Sequence, residues 1–199
     1  MALFTEKNIR ARAHQEMQLR ENHYKSKSQV LNESAISFNK FRTYDIFLSH
    51  SSQDSELILG VKTTLEDLGY SVYVDWIDDT QLNRSNVNED TAKLLRERMN
   101  SSRSLFYVTT ENSVTSKWMP WECGYFDGLK EKVAILPIKK YSYNNEYQGQ
   151  EYLSLYPYCL KENNIQEKER LWIHKSEEYY LTYEAWLATQ RDSIKWKKI

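Results

Sequence analysis

The sequence predicts an α/β fold in which a mainly parallel central sheet is flanked by helices. Strand-length apolar runs alternate with helical patterns from residue 44 to about 139, the signature of βαβ units. The first run, Tyr44-Asp-Ile-Phe-Leu-Ser-His-Ser-Ser-Gln-Asp54, stops abruptly in small polar residues, as a buried strand does on entering a loop and then a helix. A glycine and a proline, Gly69 and Pro120, fall where helices are expected to stop and start.

The elements follow in order. Behind the opening strand, Leu57, Val61, Leu65 and Leu68 recur on one face of a helix spanning Asp54 to Leu68, which Gly69 terminates. Ser71-Val-Tyr-Val-Asp75 reads as the second strand. Trp76 to Asn88 has no apolar periodicity and reads as a long loop, with Asp78 and Asp79 as solvated carboxylates. Glu89 to Met99 is the second helix, Ser104 to Thr109 the third strand, Trp121 to Lys130 the third helix and Val133 to Ile138 the fourth strand. Three regions result: a helical arm (1–42), an α/β core (43–139), and an aromatic extension (140–199) expected to complete the same domain. In the arm, Ile9, Ala13 and Met17 are loosely spaced behind Thr5, a candidate N-cap. In the extension, Tyr152 to Tyr158 reads as extended and Tyr179 to Thr189 as helical.

Composition narrows the function classes. With 27 Lys and Arg against 28 Asp and Glu, the net charge of −1 offers no basic patch for nucleic acid or an anionic membrane. No stretch approaches the ~18 apolar residues of a membrane span. Cys123 and Cys159 lack any pair spacing, which points to reduced thiols and a cytoplasmic location. The 15 Tyr, 6 Trp and 6 Phe suit a packed core and equally an interface or a base-stacking pocket.

Standard catalytic motifs are mostly missing. There is no Gly-x-Gly-x-x-Gly and no Walker-type loop, and the four histidines (His14, His23, His50, His174) have no metal-binding spacing, so neither a bound cofactor nor a metal is expected. Ser49-His50-Ser51 invites a nucleophile reading. Neighbouring strand residues point to opposite sides, however, and no nucleophile elbow surrounds them. Asp75, Asp78 and Asp79 could suggest a phosphoacceptor, but the acidic pair such acceptors need after the first strand is replaced here by Ser-His-Ser.

The remaining constellation is Ser116-Lys-Trp-Met-Pro-Trp-Glu122. With Trp118 at a helix entrance, Glu122 lies one turn further on the same side, so a ring and a carboxylate converge. The alternative for Glu122 is a first-turn helical carboxylate placed there by the helix dipole.

Three features in order, the opening strand, Gly69-Tyr-Ser-Val-Tyr-Val-Asp75 and the Trp118-x-x-x-Glu122 spacing, resemble enzymatic TIR domains, whose fold is flavodoxin-like. The resemblance implies cleavage of NAD, as substrate, between nicotinamide and ribose. By match to TIR positions, Glu122 would be catalytic, Trp118 a stacking wall, and Phe47, Ser49 and Asp75 substrate-binding residues. The loop Trp76 to Asn88 matches the mobile BB loop. The arm and the tail Gly149 to Tyr158 look like the stand-alone TIR-like subunit of Thoeris antiphage defence. That implies a cyclic ADP-ribose-type signal acting on a partner NAD-depleting effector, and self-association of the enzyme. A non-enzymatic TIR interaction module and, more remotely, a nucleoside deoxyribosyltransferase remain open alternatives.

Overall fold

The structure, a computed structural model, describes residues 4–23, 42–79, 88–139 and 151–199. Its strands are β1 (Tyr44–Ser49), β2 (Val72–Tyr73), β3 (Ser102–Thr109), β4 (Val133–Pro137), β5 (Tyr158–Asn163), β6 (Glu169–His174), β7 (Tyr179–Thr182) and β8 (Lys197–Lys198). They form one sheet in the order β2-β1-β3-β4-β5-β6-β7-β8. The first five are parallel, with Ile46 beside Val72 and Ser104, and Leu105 beside Val133. The last three are antiparallel. The helices are α1 (Glu6–His23), α2 (Ser55–Asp67), the single turn α3 (Asp75–Asp78), α4 (Glu89–Asn100), α5 (Trp118–Lys130) and α6 (Tyr183–Ala188).

Alternation along the strands builds two apolar layers. Ile46, Leu48, Phe106, Val108, Ala134 and Leu136 face the side that carries α1, α2 and α6. Phe47, Leu105, Tyr107 and Ile135 face α4 and α5. Both faces are covered, so these strands read as nearly continuous hydrophobic runs. The order of the strands reverses between β1, which connects outward to β2, and β3. This is the topological switch point of a doubly wound sheet, and the crevice at its carboxyl edge is the usual ligand site.

The described part of the N-terminal arm, residues 4–23, packs on the core. Thr5 Oγ1 accepts from Asn8 N at 3.4 Å and so caps α1. Phe4, Ile9 and Ala13 are buried against the first apolar layer. Backbone bonds from Glu6 N to Lys139 O and from Lys139 N to Phe4 O, both 2.9 Å, attach the segment just beyond β4. Close approach of α1 to α2 occurs at Gly60, where a Cβ would lie 2.1 Å from the Ile9 carbonyl oxygen.

Several sequence expectations change. The second strand stops at Tyr73, and Asp75 opens a helical turn. Residues 80–87 of the expected loop, and 24–41 and 140–150, lie outside the described residues. The third helix begins at Trp118, three residues early, with Pro120 in its first turn, where no intrahelical N–H is required. Tyr152 to Tyr158 is not extended: Glu151–Leu155 is a 3-10 helix closed by Ser154 Oγ donating to Glu151 O, and the strand starts at Tyr158. Tyr179 to Thr189 divides into β7 and α6. Thr182 Oγ1 accepts from Ala185 N at 3.3 Å, an N-cap that sets the boundary. The hairpin β5-β6 turns at Asn164, whose side chain accepts from Gln166 N and Lys168 N.

Asp78 and Asp79 are not solvated. Arg98 donates to both oxygens of Asp79 from Nε and Nη2 at 2.7 Å, and Tyr73 OH adds a third bond at 2.8 Å. Asp78 accepts from Val74 N at 2.9 Å and lies 3.6 Å from Lys62 Nζ. Distant cations on α4 and α2 thus draw both carboxylates inward, which local polarity could not reveal.

Candidate functional site

The site forms where β1 and β3 end at the switch point. Ser49, the last residue of β1, points to the α5 side. Glu122, the fifth residue of α5, points inward from the helix. The Ser49 hydroxyl donates to Glu122 Oε2 at 2.6 Å, and both side chains are fully buried. A bond this short to a carboxyl oxygen, in a water-poor setting, holds one rotamer strongly. Glu122 also lies beyond the first turn of α5, where the helix dipole is strongest, so its contact with β1 is a separate reason for its place.

The other expected site residues go different ways. Phe47 lies beneath this pair in the apolar layer, stacked on Tyr73 at 5.1 Å. Trp118 is half-buried at the start of α5, edge-on to Trp121 at 5.4 Å, and Trp121 in turn stacks on Tyr125. Asp75 meets His50, whose Nε2 lies 3.3 Å from Asp75 Oδ1. Ser49, Glu122, Phe47 and Trp118 therefore share the α5 side of the sheet, while Asp75 joins a neighbouring polar contact.

Sequence reasoning missed a second link across the switch point. Asp54, after β1, accepts from Thr110 Oγ1 at 2.5 Å and from Asn112 Nδ2 at 2.7 Å, both in the loop after β3. Ser113 Oγ closes that loop by donating to Thr110 O at 2.8 Å. The network orders the approach to Trp118. Its sequence signal was the short run Thr110, Asn112, Ser113, residue types that bond their own backbone in turns.

Thiol chemistry is unsuited to the site. Cys123 is buried beside Glu122, and desolvation pushes its thiol up to about 11, so the nucleophilic thiolate is scarce at neutral pH. Among the described residues, no group of three or more His, Cys, Asp or Glu side chains is arranged to hold a metal ion. No described helix is long and apolar enough to cross a membrane.

A parallel sheet in the order 2-1-3-4-5, with a carboxylate from the helix after β3 at its switch point, defines a doubly wound α/β domain whose ligand crevice lies at that point. The family model described as "TIR domain" matches residues 46–171, and the chain belongs to that family. It is 50% identical over 192 residues to a Bacillus cereus (strain MSX-D12) protein named "Probable 3' cyclic ADP-D-ribose synthase ThsB'", covering 94% of this chain and 98% of that protein. It is 36% identical over 85 residues to a Cytobacillus dafuensis protein named "Putative cyclic ADP-D-ribose synthase TIR2", covering 42% of this chain and 22% of that one. Among solved structures, the TIR domain of the Toll-related receptor TRR-2 from Hydra magnipapillata superposes with a TM-score of 0.41 at 19% identity, covering 58% of this chain and 82% of that one.

Proposed function

We propose that this chain is a cytoplasmic antiphage-defence TIR enzyme. It cleaves the bond between nicotinamide and ribose in NAD and closes the remainder into a cyclic ADP-ribose-type signal. That signal activates a partner, ThsA-like effector. The near-full-length likeness to a relative named as a cyclic ADP-D-ribose synthase supports the product class. The observation that carries the reading is the buried Ser49–Glu122 contact at the switch point of the sheet.

The chemistry asks little of the protein beyond one oriented carboxylate. Ordinary glycosidases need a second carboxyl group to protonate a poor leaving group. In NAD the nicotinamide ring is already cationic: the electron pair of the broken C–N bond leaves with it and neutralises it. Glu122 would stabilise the oxocarbenium-like ribose and bind its hydroxyls, with Ser49 fixing the carboxyl orientation. A nucleophile from the adenosine end then bonds to the anomeric carbon and gives up its proton. Trp118 would supply a stacking wall, Phe47 the rigid base under Ser49, and Asp75, buried beside His50, a substrate contact once the site opens. Water must be kept out for ring closure to beat hydrolysis.

Glu122 is fully buried in this conformation, so catalysis requires an opening that uncovers it. Such gating fits an enzyme that acts only when assembled or triggered.

The test is nicotinamide release and product mass from NAD, in purified assembled protein and in phage-infected cells. Glu122→Gln keeps the fold and the Ser49 hydrogen bond but removes the charge, and should abolish turnover. Identical nucleotide profiles for the two forms, with a loss of signalling from surface substitutions instead, would assign the chain to the interaction-module class.

A further inference from the structure

Asp54 holds the N-cap position of α2, where an aspartate ordinarily accepts from the first backbone N–H groups of its own helix. Its side chain makes no such bond. Both carboxyl oxygens turn instead across the switch point, Oδ2 to the Thr110 hydroxyl at 2.5 Å and Oδ1 to Asn112 Nδ2 at 2.7 Å. The direction of the Thr110 bond is fixed. Thr110 Oγ1 already accepts from Asn112 N and Ser113 N, both at 3.2 Å, which occupies its two lone pairs and leaves its single hydrogen for Asp54. An aspartate that forgoes its cap for two bonds to another loop is placed for that loop rather than for its helix.

From Thr110 the tie reaches α5 in steps of three residues. Ser113 N donates to Thr110 O at 3.3 Å, Ser116 N to Ser113 O at 3.2 Å, and Met119 N to Ser116 Oγ at 3.4 Å. Thr115 Oγ1 adds a bond to Asn112 O at 2.9 Å. The segment is a chain of closed turns that ends on Trp118, the first residue of α5. On the other side, Asp54 N donates to Ser51 O at 3.1 Å, shortly past Ser49. In a doubly wound sheet the loops after these two strands wall the crevice. Here two side-chain ties join them: Ser49 to Glu122, and Asp54 to Thr110 and Asn112.

We propose that Asp54 is a positioning residue for the reaction. It holds the loop from Thr110 to Ser116 so that Trp118 stands at a fixed place opposite the end of β1, and through Trp118 it sets the affinity for NAD and the share of cleavage events that end in ring closure. The proposal rests on the reading of Trp118 as a substrate contact. With the tie released, the ring wall shifts and water gains access to the anomeric carbon. Water then bonds there in place of the adenosine-end nucleophile, gives up its proton and yields linear ADP-ribose.

The test is a double-mutant cycle on full-length protein, read as kcat and KM for nicotinamide release, as the ratio of cyclic to linear product, and as Kd for NAD in Glu122→Gln protein. Asp54→Asn has the same shape but turns an amide hydrogen toward one of two donors. It should raise KM and Kd by about tenfold with kcat within about threefold, and raise the linear share at least about threefold. In the Trp118→Ala background the same substitution should change KM and Kd by less than about twofold, because its effect passes through Trp118. Thr110→Val should reproduce Asp54→Asn, and Thr110→Ser, which keeps the hydroxyl, should recover the wild-type KM to within about threefold. The two Thr110 variants carry the test by themselves if Asp54→Asn does not fold.

A wild-type KM and product ratio in Asp54→Asn or Thr110→Val overturns the proposal. So does an equal loss in the presence and absence of Trp118, which would make Asp54 a general support of the fold. Trp118→Ala with unchanged NAD affinity refutes instead the reading of Trp118 on which the proposal rests. Glu122→Gln turnover decides the catalytic reading separately.

Discussion

Ser49 and Glu122, 73 residues apart in sequence, meet through a single 2.6 Å hydrogen bond that joins the end of β1 to the first half of α5. The bond does two things at once. It satisfies a fully buried carboxyl oxygen, and it orients the group proposed to act on the ribose. Ser49→Ala should therefore destabilise the fold by about 1–3 kcal/mol, the cost of leaving a buried polar atom without its donor. It should also reduce nicotinamide release by about tenfold or more through loss of orientation. Thermal unfolding and kcat on the same preparation check both, and full activity in Ser49→Ala would remove Ser49 from the mechanism.

The buried pair Asp79–Arg98 joins the end of α3 to α4. Arg98 is bidentate, and its hydrogen bonds to the carboxylate beside it raise its already high pKa, so the guanidinium stays charged. Removing either partner, as in Asp79→Ala or Arg98→Met, should cost about 3–5 kcal/mol by stranding the other charge. The double variant should be much less unstable than the sum of the singles. A denaturant double-mutant cycle with no coupling would show that the pair is not acting as a unit.

At Gly60 the constraint is contact. A methyl group would sit 2.1 Å from the Ile9 carbonyl oxygen, which is backbone and cannot rotate aside. Gly60→Ala should push α1 off α2 and cost about 1–3 kcal/mol. Gly124, helical and with nothing within 4 Å of the place a Cβ would occupy, provides the contrast. Gly124→Ala should be neutral or stabilising by up to about 1 kcal/mol. Urea unfolding of the two variants distinguishes close approach from glycine's general helix penalty.

His174 predicts an acid-side loss of stability. It is 6% exposed on β6 and stacked on Tyr180, and desolvation lowers its pKa against a weaker opposing effect of Glu162. The unfolded chain thus takes up the proton first. This contribution is fully present above the unfolded value of about 6.5 and is lost as the pH falls through it toward the folded value. Between pH 7.5 and 5.5 the wild type should lose more thermal stability than His174→Phe. Parallel declines in the two proteins would exclude His174 as the cause.

The sequence by itself determined the α/β class, the first four strands, the principal helices and the Thr5 cap. Each is a local property: apolar period, chain length between breakers, or a side chain bonding its own backbone. It also singled out Ser49 and Glu122, though as members of separate motifs. Only the tertiary structure decided that they touch, that Asp75 turns to His50, that Asp78 and Asp79 are drawn inside by Lys62 and Arg98, and that β5 to β8 extend the sheet. The physical reason is that periodicity specifies which face of an element is buried but says nothing about the partner on the opposing element. A buried carboxylate and a solvated one look alike in sequence until the fold brings, or withholds, the group that compensates it.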